Sequence, residues 1–286
     1  MNESELPADL NAVVDRALDE DIADGDRNAA LVTDNRIARA RVIARENAVL
    51  AGAPWFDRVF AALDERVTVN WHVADGQRLI AERVVCDIEG PVHALLSGER
   101  TALNFLQLMS GVASATHEYV ERVKGTRTDI IDTRKTLPGL RSAQKYAVRC
   151  GGGLNHRFGL FDAILIKENH IMAAGSIAGA VARGREQSPE LFLQVEIETL
   201  AELEQALEAG VDGVLLDNLP SHVLARAVNM ADAHRRRFRQ QIVIEASGDI
   251  SLTNVREIAD TGVDRISIGG LTKHVRATDF SMRMQS

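Results

Sequence analysis

The second half of the chain alternates short apolar runs with longer amphipathic stretches. Six of these runs have the length and composition of a buried strand, and each ends at a polar residue that precedes a loop and a helix-like stretch. The polar residues are Asp132, Lys167, Glu196, Asp217, Glu245 and Ser267. Steps of 21 to 35 residues between them predict βα units, and therefore a parallel sheet.

Barrels built from such units carry their active sites at the carboxyl ends of the strands. We therefore expect the polar residues to gather at one edge of the sheet and to line a site. Six units are fewer than the eight of a complete barrel. The predicted fold is an incomplete parallel α/β barrel of roughly six to seven strands, supplemented by a second domain.

Residues 1–100 show a different pattern, which is typical of a small α+β domain. Strands are predicted within Ile37–Leu50, Val67–Trp71 and Ala81–Ile88, and helices over residues 9–21 and 55–63. From Ser97, apolar residues at helical spacing predict one or two long helices that end near Gly125.

These patterns divide the chain into an N-terminal domain, residues 1–100, and a barrel domain, residues 101–275. The tail, residues 276–286, is too short for a further unit and is expected to pack on the N-terminal domain. Arg100 stands at the predicted start of a helix, where a cation opposes the helix dipole. A functional role and a plain surface position are both open for it.

Composition and charge narrow the functional classes. Of 286 residues, 45% are apolar and 26% are charged, as in an ordinary globular enzyme. The formal net charge of −8 argues against a general nucleic-acid binder, which needs a broad basic face. The basic run at residues 234–237 is interpreted as a helix end. No stretch has the pattern of a signal peptide or a membrane span, so we expect a soluble, cytoplasmic protein.

The two cysteines, Cys86 and Cys150, are too few for a disulfide framework or a zinc site. A nucleophilic role is conceivable for Cys150, which precedes a triple glycine. A small buried residue at a helix end is the favoured interpretation.

A basic cluster runs from Asp132 to Arg157 in this acidic chain. It contains seven Arg, Lys and His residues and no acid after Asp132, which favours an anionic ligand. Lys135, and Lys167 beyond the cluster, offer point charges for phosphate or carboxylate. The arginines that offer planar forks for such groups are Arg134, Arg141 and Arg157.

Acidic and glycine-containing loops complete the predicted site. Glu196 and Asp217 end consecutive predicted strands, and their oxygens are of the kind that holds Mg²⁺ together with water and substrate phosphate. Ser247-Gly248 and Gly269-Gly270 follow the last two strands, where barrels frequently bind a phosphate monoester through backbone N–H groups. The inventory predicts a phosphate pocket, a metal site beside a polyphosphate and an Arg-rich pocket for a second anion.

These residues belong to longer strings that resemble the quinolinate phosphoribosyltransferases, also called nicotinate-nucleotide pyrophosphorylases (carboxylating). The strings occur in this order from about residue 97 to 275: SGERTALNF, DTRKTLPGLR, GGGLNHR, LIKENH, VEIE, LLDN, EASGDI and SIGGLTKH. Motifs of this length in this order make the resemblance highly specific.

The resemblance implies a Mg²⁺-dependent reaction of quinolinate with phosphoribosyl pyrophosphate. The products would be nicotinate mononucleotide, pyrophosphate and CO₂, in NAD biosynthesis. The family fold would be a small α/β sandwich domain packed on an incomplete α/β barrel. The family also implies a homodimer, in which Arg100 would reach the neighbouring subunit's site.

The resemblance further implies a role for each matched residue. The expected catalytic residues are Lys135, Lys167, Glu196 and Asp217. The cations expected to hold the two quinolinate carboxylates are Arg134, His156, Arg157 and Lys167. The groups expected to receive the 5′-phosphate are Ser247, Gly248, Gly269 and Gly270. Glu196 and Asp217 would face the ribose hydroxyls and the metal, Lys135 would contact pyrophosphate, and Lys273 has no assigned role.

Other functions remain open from the residues alone. A lysine after an apolar strand, as at Lys167, is also how a barrel aldolase presents a Schiff-base amine. Such a lyase has little use for an acidic pair and two phosphate loops. A phosphoribosyltransferase for another ring and a non-catalytic anion-binding module are the remaining alternatives. Glu168 and His170 are interpreted as residues that hold their loop in shape.

Overall fold

The computed structural model describes residues 6–285. Residues 1–5 and Ser286, which the predicted domains include, lie outside the described residues. The chain forms two compact units. The first comprises the residues up to His117, Lys135–Gly152 and the residues from Gly270 on. The second comprises Glu118–Arg134 and Gly153–Gly269.

The helices and strands fall close to the positions that the hydrophobic pattern predicts. The helices are α1 (Leu10–Ile22), a 3-10 turn (Ala29–Leu31), α2 (Ala53–Leu63), α3 (Val92–Val123), α4 (Arg141–Cys150), α5 (Glu168–Ala174), α6 (Ile177–Gln187), α7 (Leu200–Glu208), α8 (Ser221–Phe238), α9 (Val255–Asp260) and α10 (Gly270–Lys273). The strands are β1 (Ile37–Ala44), β2 (Ala48–Val49), β3 (Thr68–Trp71), β4 (Arg78–Leu79), β5 (Val84–Pro91), β6 (Asp129–Ile131), β7 (Ile164–Ile166), β8 (Leu193–Ile197), β9 (Gly213–Asp217), β10 (Val243–Ser247), β11 (Arg265–Ser267) and β12 (Phe280–Met284).

The first unit contains an antiparallel sheet in the order β12-β1-β5-β3. Along β1, Ala40, Val42 and Ala44 are buried, while Arg39 and Arg41 are exposed and pair with acids on β5. This alternation gives the sheet one apolar and one charged face. Because β12 pairs with β1, the C-terminal tail lies on the N-terminal sheet.

Helix α3 differs from the prediction at its start. It begins at Val92, directly after the last residue of β5, and continues for 32 residues as a single helix. Arg100 therefore lies well inside the helix, and the argument that it opposes the dipole at a helix start was wrong. The predicted domain boundary at residue 100 also falls within α3, and the compact units group the chain differently because two later segments join the first unit.

The second unit contains a parallel sheet in the order β6-β11-β10-β9-β8-β7. Helices α6, α7, α8 and α9 follow β7, β8, β9 and β10 along the chain, as the βα pattern predicts. Beside β6, Leu154 forms a single parallel bridge to Ile131, which is a rudiment of a further strand. The expected fold class, a small domain with its own sheet and an incomplete α/β barrel, is confirmed.

Three smaller predictions concern single features. The basic run at residues 234–237 lies at the end of α8, as expected. Both cysteines are buried, and burial raises the pKa of each thiol, so the interpretation of Cys150 as a packed residue at a helix end is confirmed. Among residues 6–285, no helix has both the length and the apolar character needed to cross a membrane.

A half-buried acid in the first unit makes the stability of the protein depend on pH. Burial raises the pKa of Asp57 to about 6, and the negative charge of Asp75 adds to this. The indole N–H of Trp71 donates to Asp57 Oδ1 at 2.9 Å and opposes the rise. Because the pKa in the folded state exceeds the ordinary value of 3.8, the fold favours the protonated acid.

We predict that Asp57→Asn stabilises the protein at pH 8 and has little effect near pH 4. The contribution of protonated Asp57 to the free energy of unfolding is fully present below about pH 4 and is lost as the pH rises through about 6. The asparagine retains the acceptor for Trp71 and removes the buried charge, so its unfolding free energy should exceed the native value by about 1–2 kcal/mol at pH 8, after allowance for solvent screening.

Thermal unfolding of both proteins across this pH range measures the difference. Glu65→Gln, at an exposed position of the same unit, is the control and should unfold in parallel with the native protein at every pH. A difference between native and Asp57→Asn that is the same at pH 4 and pH 8 would contradict the assignment.

Candidate active site

Three charged residues lie on consecutive strands at the carboxyl edge of the parallel sheet. Lys167 directly follows β7, Glu196 lies in β8 and Asp217 is the last residue of β9. Lys167 Nζ and Glu196 Oε2 are 2.5 Å apart. Asp217 is level with Ser247 of the next strand, β10. The register of these strands therefore brings a cation, two acids and a hydroxyl to one edge.

Two arginines add positive charge to this edge. Burial and the neighbouring charge of Arg134 lower the pKa of Arg157, and the charges of Asp162 and Glu196 oppose this shift. Each of these interactions requires the groups to be close. Two guanidinium groups near each other repel, and a bound anion relieves that repulsion. The arrangement suits a carboxylate or a phosphate.

The segment that carries Arg157 is held by Asp132 at the end of β6. Asp132 is fully buried, and its two carboxylate oxygens accept from the backbone N–H of His156 at 2.9 Å and from Asn155 Nδ2 at 2.7 Å. Asp132 thus supports the loop that carries the cations. The expectation that the polar residue of every strand lines the site was wrong for Asp132, because its carboxylate is used inside the protein.

Glu245 also departs from that expectation. It lies within β10, which continues to Ser247, and its side chain is fully buried. The same strand thus provides a buried carboxylate and, two residues further on, the hydroxyl at the edge. Sequence reasoning identified both residues but placed the strand end two residues too early.

The loop after β10 has an unusual backbone. Gly248 has φ of 93° and Asp249 has φ of 41°, and Asn218 after β9 has φ of 52°. The backbone N–H of Asn218 donates to the Ser247 carbonyl at 2.9 Å. A Cβ atom added to Gly248 would lie 2.1 Å from Asn218 Oδ1. Glycine is favoured here, because the left-handed backbone strains any other residue and a Cβ atom would require the Asn218 amide to move.

Asn218 is a site residue that the sequence analysis missed. The available signal was an asparagine directly after an apolar strand, since asparagine adopts left-handed backbone more readily than most residues. Non-glycine residues in this conformation concentrate at functional sites.

The remaining candidate residues belong to the first unit, apart from Gly269, which follows β11 in the second unit. Arg100 is exposed on α3, and the hydrogen bonds and ion pairs of residues 6–285 include none from its side chain. Lys135 is exposed, and its backbone carbonyl accepts from Thr272 Oγ1 at 3.0 Å. Gly270 opens the short helix α10, and Lys273 closes it.

His170 has the structural role that the sequence analysis favoured. The Nδ1 atom of His170 accepts from the backbone N–H of Lys167 at 2.9 Å. The backbone N–H of His170 donates to the Lys167 carbonyl at 2.8 Å. These two bonds fix the turn that presents Lys167 at the sheet edge. In the described part of the chain, no group of three or more His, Cys, Asp and Glu residues is arranged to hold a metal ion.

Comparison with known proteins covers both halves of the chain. The family model for the N-terminal domain of quinolinate phosphoribosyl transferase matches residues 27–110, and the model for its C-terminal domain matches residues 112–283. The chain belongs to this family. The resemblance read from the motifs is thereby confirmed, and it extends over the N-terminal region, where the sequence analysis found no family motif.

Individual relatives of the family agree in sequence and structure. The probable nicotinate-nucleotide pyrophosphorylase [carboxylating] of Bacillus subtilis is 41% identical, covering 92% of this chain and 89% of its own. The human nicotinate-nucleotide pyrophosphorylase [carboxylating] is 39% identical, covering 97% and 92%. The structure of the nicotinate-nucleotide pyrophosphorylase from Francisella tularensis has a TM-score of 0.92 at 42% identity and covers 98% of each chain.

The left-handed backbone at Gly248 predicts that a substitution there slows phosphoribosyl transfer. We expect Gly248→Ala to lower kcat/KM by about tenfold or more, because Asn218 and the loop must move to admit the methyl group. The left-handed backbone adds a strain of roughly 1–2 kcal/mol. Steady-state kinetics of phosphoribosyl transfer measure the effect.

Gly210→Ala is the matched control. Gly210 has a similar φ of 79°, but a Cβ added there meets no atom within 4 Å. This variant carries the same kind of backbone strain without the collision, so its kcat/KM should stay within about twofold of native. Equal losses in the two variants would show that strain alone, and not the contact with Asn218, accounts for the effect.

Proposed function

We propose that this protein transfers the phosphoribosyl group of phosphoribosyl pyrophosphate to quinolinate with loss of CO₂. The products are nicotinate mononucleotide, pyrophosphate and CO₂, in de novo NAD biosynthesis. The observation that carries the proposal is the juxtaposition of Lys167, Glu196 and Asp217 on consecutive parallel strands of a chain that belongs to this family.

The cations of the second unit suit a dicarboxylate. Arg157 interacts with Arg134 and with Glu196, which itself contacts Lys167. Planar guanidinium groups bind carboxylates in a bidentate manner, and the ammonium adds a point charge. In the complex, an analogue that lacks one carboxylate leaves a cation beneath the bound acid unpaired, at a cost of roughly 2–5 kcal/mol. Quinolinate is therefore preferred to nicotinate by roughly 30- to 3000-fold.

The loop at Ser247 and Gly248 suits the 5′-phosphate of the sugar. Gly248 and Asp249 both have left-handed backbone, and such turns direct N–H groups toward an anion. Ser247 is level with Asp217, so the phosphate loop is adjacent to the acids on neighbouring strands. The motif match assigns Gly269 and Gly270 to the same phosphate and Lys135 to the pyrophosphate.

Bond cleavage at ribose C1′ demands stabilisation of two opposite charges. The sugar develops oxocarbenium character, which Glu196 and Asp217 stabilise, and the pyrophosphate gains negative charge, which a lysine stabilises. The pyridine nitrogen then carries the ribosyl group and is cationic, so it stabilises the electron pair that stays on ring carbon C2 when the adjacent carboxylate leaves as CO₂. A proton from water then adds to C2 and completes nicotinate mononucleotide. This chemistry needs no separate electron-sink cofactor.

The acidic pair fits Mg²⁺ as an ion that arrives with the polyphosphate. Glu196 and Asp217 are hard oxygen donors on adjacent strands, and residues 6–285 supply no closed metal cage around them. Mg²⁺ typically binds through one or two carboxylates with water and substrate phosphates. When bound, it would neutralise charge on the leaving pyrophosphate.

The Schiff-base alternative is not favoured by the contact of Lys167. A Schiff-base lysine must present a neutral amine, whereas Lys167 Nζ lies 2.5 Å from a carboxylate oxygen of Glu196. An ammonium paired in this way suits an anionic ligand.

Cytoplasmic location stays a prediction from the sequence.

Product analysis tests the proposal directly. The purified protein, with quinolinate, phosphoribosyl pyrophosphate and Mg²⁺, should yield nicotinate mononucleotide, pyrophosphate and CO₂ in equal amounts. Chelation of Mg²⁺ should abolish turnover, and nicotinate in place of quinolinate should give the loss stated above. Equal turnover of the two acids would remove the dicarboxylate argument, and inactivation by borohydride with a carbonyl substrate would support the aldolase.

The assembly proposed is a homodimer in which Arg100 completes the neighbouring subunit's site. The side chain of Arg100 is exposed, and none of the ion pairs formed within residues 6–285 involves it. An exposed arginine without an internal partner is available to an anion bound by another subunit. This role rests on the match to the SGERT motif.

Mixing two inactive variants tests this role. Arg100→Ala and Lys167→Ala should each be inactive alone, whereas a mixture refolded or exchanged in equal amounts should recover about a quarter of native activity. In the mixed dimer, one of two sites combines the intact Lys167 of one subunit with the intact Arg100 of the other. Mixtures that stay inactive, although mass spectrometry shows mixed dimers, would place Arg100 in its own subunit's site.

A further inference from the structure

A fully buried carboxylate lies beneath the candidate site and has no role in the function proposed above. Glu245 of β10 is 0% exposed, and its Oε2 atom accepts from Arg265 Nε at 2.8 Å and from Gln194 Nε2 at 2.9 Å. Arg265 Nη2 also donates to Gln194 Oε1 at 3.3 Å. These three side chains, from β8, β10 and β11, form a closed polar network inside the parallel sheet.

This network is not explained by stability alone. Glu245 Oε1 is buried and has no hydrogen-bond partner among the described residues. A buried acceptor without a partner destabilises a fold, and apolar residues of similar size commonly fill such positions at no cost. An unsatisfied buried oxygen in a native fold calls for an explanation beyond stability, and the other oxygen of the same carboxylate faces His156.

The charge of Glu245 faces His156. His156 Nε2 lies 3.6 Å from Glu245 Oε2, and the imidazole is largely buried, with 11% of its side chain exposed. On the other side of the ring, Nδ1 accepts from the backbone N–H of Arg157 at 2.7 Å. With Nδ1 acting as an acceptor, the ring proton resides on Nε2 and points toward Glu245.

His156 therefore connects the buried carboxylate to Arg157. One ring nitrogen faces Glu245 and the other holds the Arg157 backbone, so the ring fixes the segment that presents the guanidinium. Arg157 Nη1 donates to the Ala163 carbonyl at 3.2 Å, which fixes the far end of the same side chain. In this arrangement the imidazole links Glu245 to the segment that presents Arg157.

We propose that Glu245 is a positioning residue, which orients His156 and through it Arg157 for the carboxylates of the acid substrate. The inference rests on the proposed function and deepens it, because it assigns the affinity for the acid to a residue outside the ligand-contacting set. Glu245 should consequently affect the binding of quinolinate and leave the binding of phosphoribosyl pyrophosphate unchanged.

Glu245→Gln tests this assignment. The amide oxygen can still accept from Arg265 and Gln194, so the network keeps its shape, while the charge that faces His156 is lost. We expect KM for quinolinate to rise by about tenfold or more and KM for phosphoribosyl pyrophosphate to stay within about twofold of native. Calorimetric titration of quinolinate should show the same weakening without turnover.

Gln194→Leu is the matched control within the network. Gln194 is 1% exposed and bonds to Glu245 and to Arg265, so its loss disturbs the same buried core without removing the charge that faces His156. Both KM values should stay within about threefold of native in this variant, even where its melting temperature falls as far as that of Glu245→Gln. A quinolinate KM that rises equally in both variants would overturn the proposal.

Two further variants keep the inference falsifiable where Glu245→Gln does not fold. Glu245→Asp retains the charge but withdraws it from His156 by one methylene group. It should raise KM for quinolinate less than Glu245→Gln is expected to, and it should leave KM for phosphoribosyl pyrophosphate unchanged. His156→Asn alone should weaken quinolinate binding, and adding Glu245→Asp to it should cause no further loss, because both substitutions act through the same ring. Additive losses would show that Glu245 does not act through His156.

The outcome is separable from the proposed function. If the native protein forms no nicotinate mononucleotide, the proposed function fails. If the native protein is active and Glu245→Gln binds quinolinate as tightly as native, only the role of Glu245 fails.

Discussion

Parallel pairing of β7, β8, β9 and β10 is the constraint on which the candidate site depends. The Cα registers of Ile166 with Val195, of Glu196 with Leu215 and of Ser247 with Asp217 bring the carboxyl ends of these strands to one edge. Because side chains alternate between the faces of a strand, a slip of one residue would carry Glu196 or Asp217 to the opposite face. The backbone hydrogen bonds of the sheet thus determine which charges meet.

Charges within the second unit occupy two levels of this sheet. At the exposed level, Lys167 is paired with Glu196 at the edge of the sheet. At the buried level, Glu245 is bonded to Arg265 and Gln194. The two levels are adjacent along the strands, since Glu245 and Ser247 are two residues apart on β10 and face the same side. Because of this layering, the buried Glu245 lies close to the charged residues at the sheet edge without being exposed there itself.

Several features of the chain cost stability, and they differ in their relation to the site. The left-handed backbone at Asn218 and Asp249 and the unsatisfied oxygen of Glu245 lie in or beneath the candidate site. Strain of this kind persists where the surrounding structure holds it and a function requires it. Asp57 lies in the first unit, and its raised pKa follows from burial beside Trp71.

The sequence by itself determined the elements, the fold class and the family. Short apolar runs at regular steps predicted βα units, and the motif strings were long enough to identify the family that both family models confirm. Candidate residues such as Lys167, Glu196 and Asp217 could be identified from the sequence, because a polar residue after an apolar strand marks the sheet edge.

Only the tertiary structure decided what each polar residue contacts. Asp132 and Glu245 have the same sequence signature as Glu196, yet both are buried, because burial depends on strands and loops that are distant along the chain. The start of α3 directly after β5 likewise removed the helix-start argument for Arg100, since apolar spacing reveals that a helix is present but does not fix its first residue. Long-range packing determines depth and contact, and local pattern does not encode either.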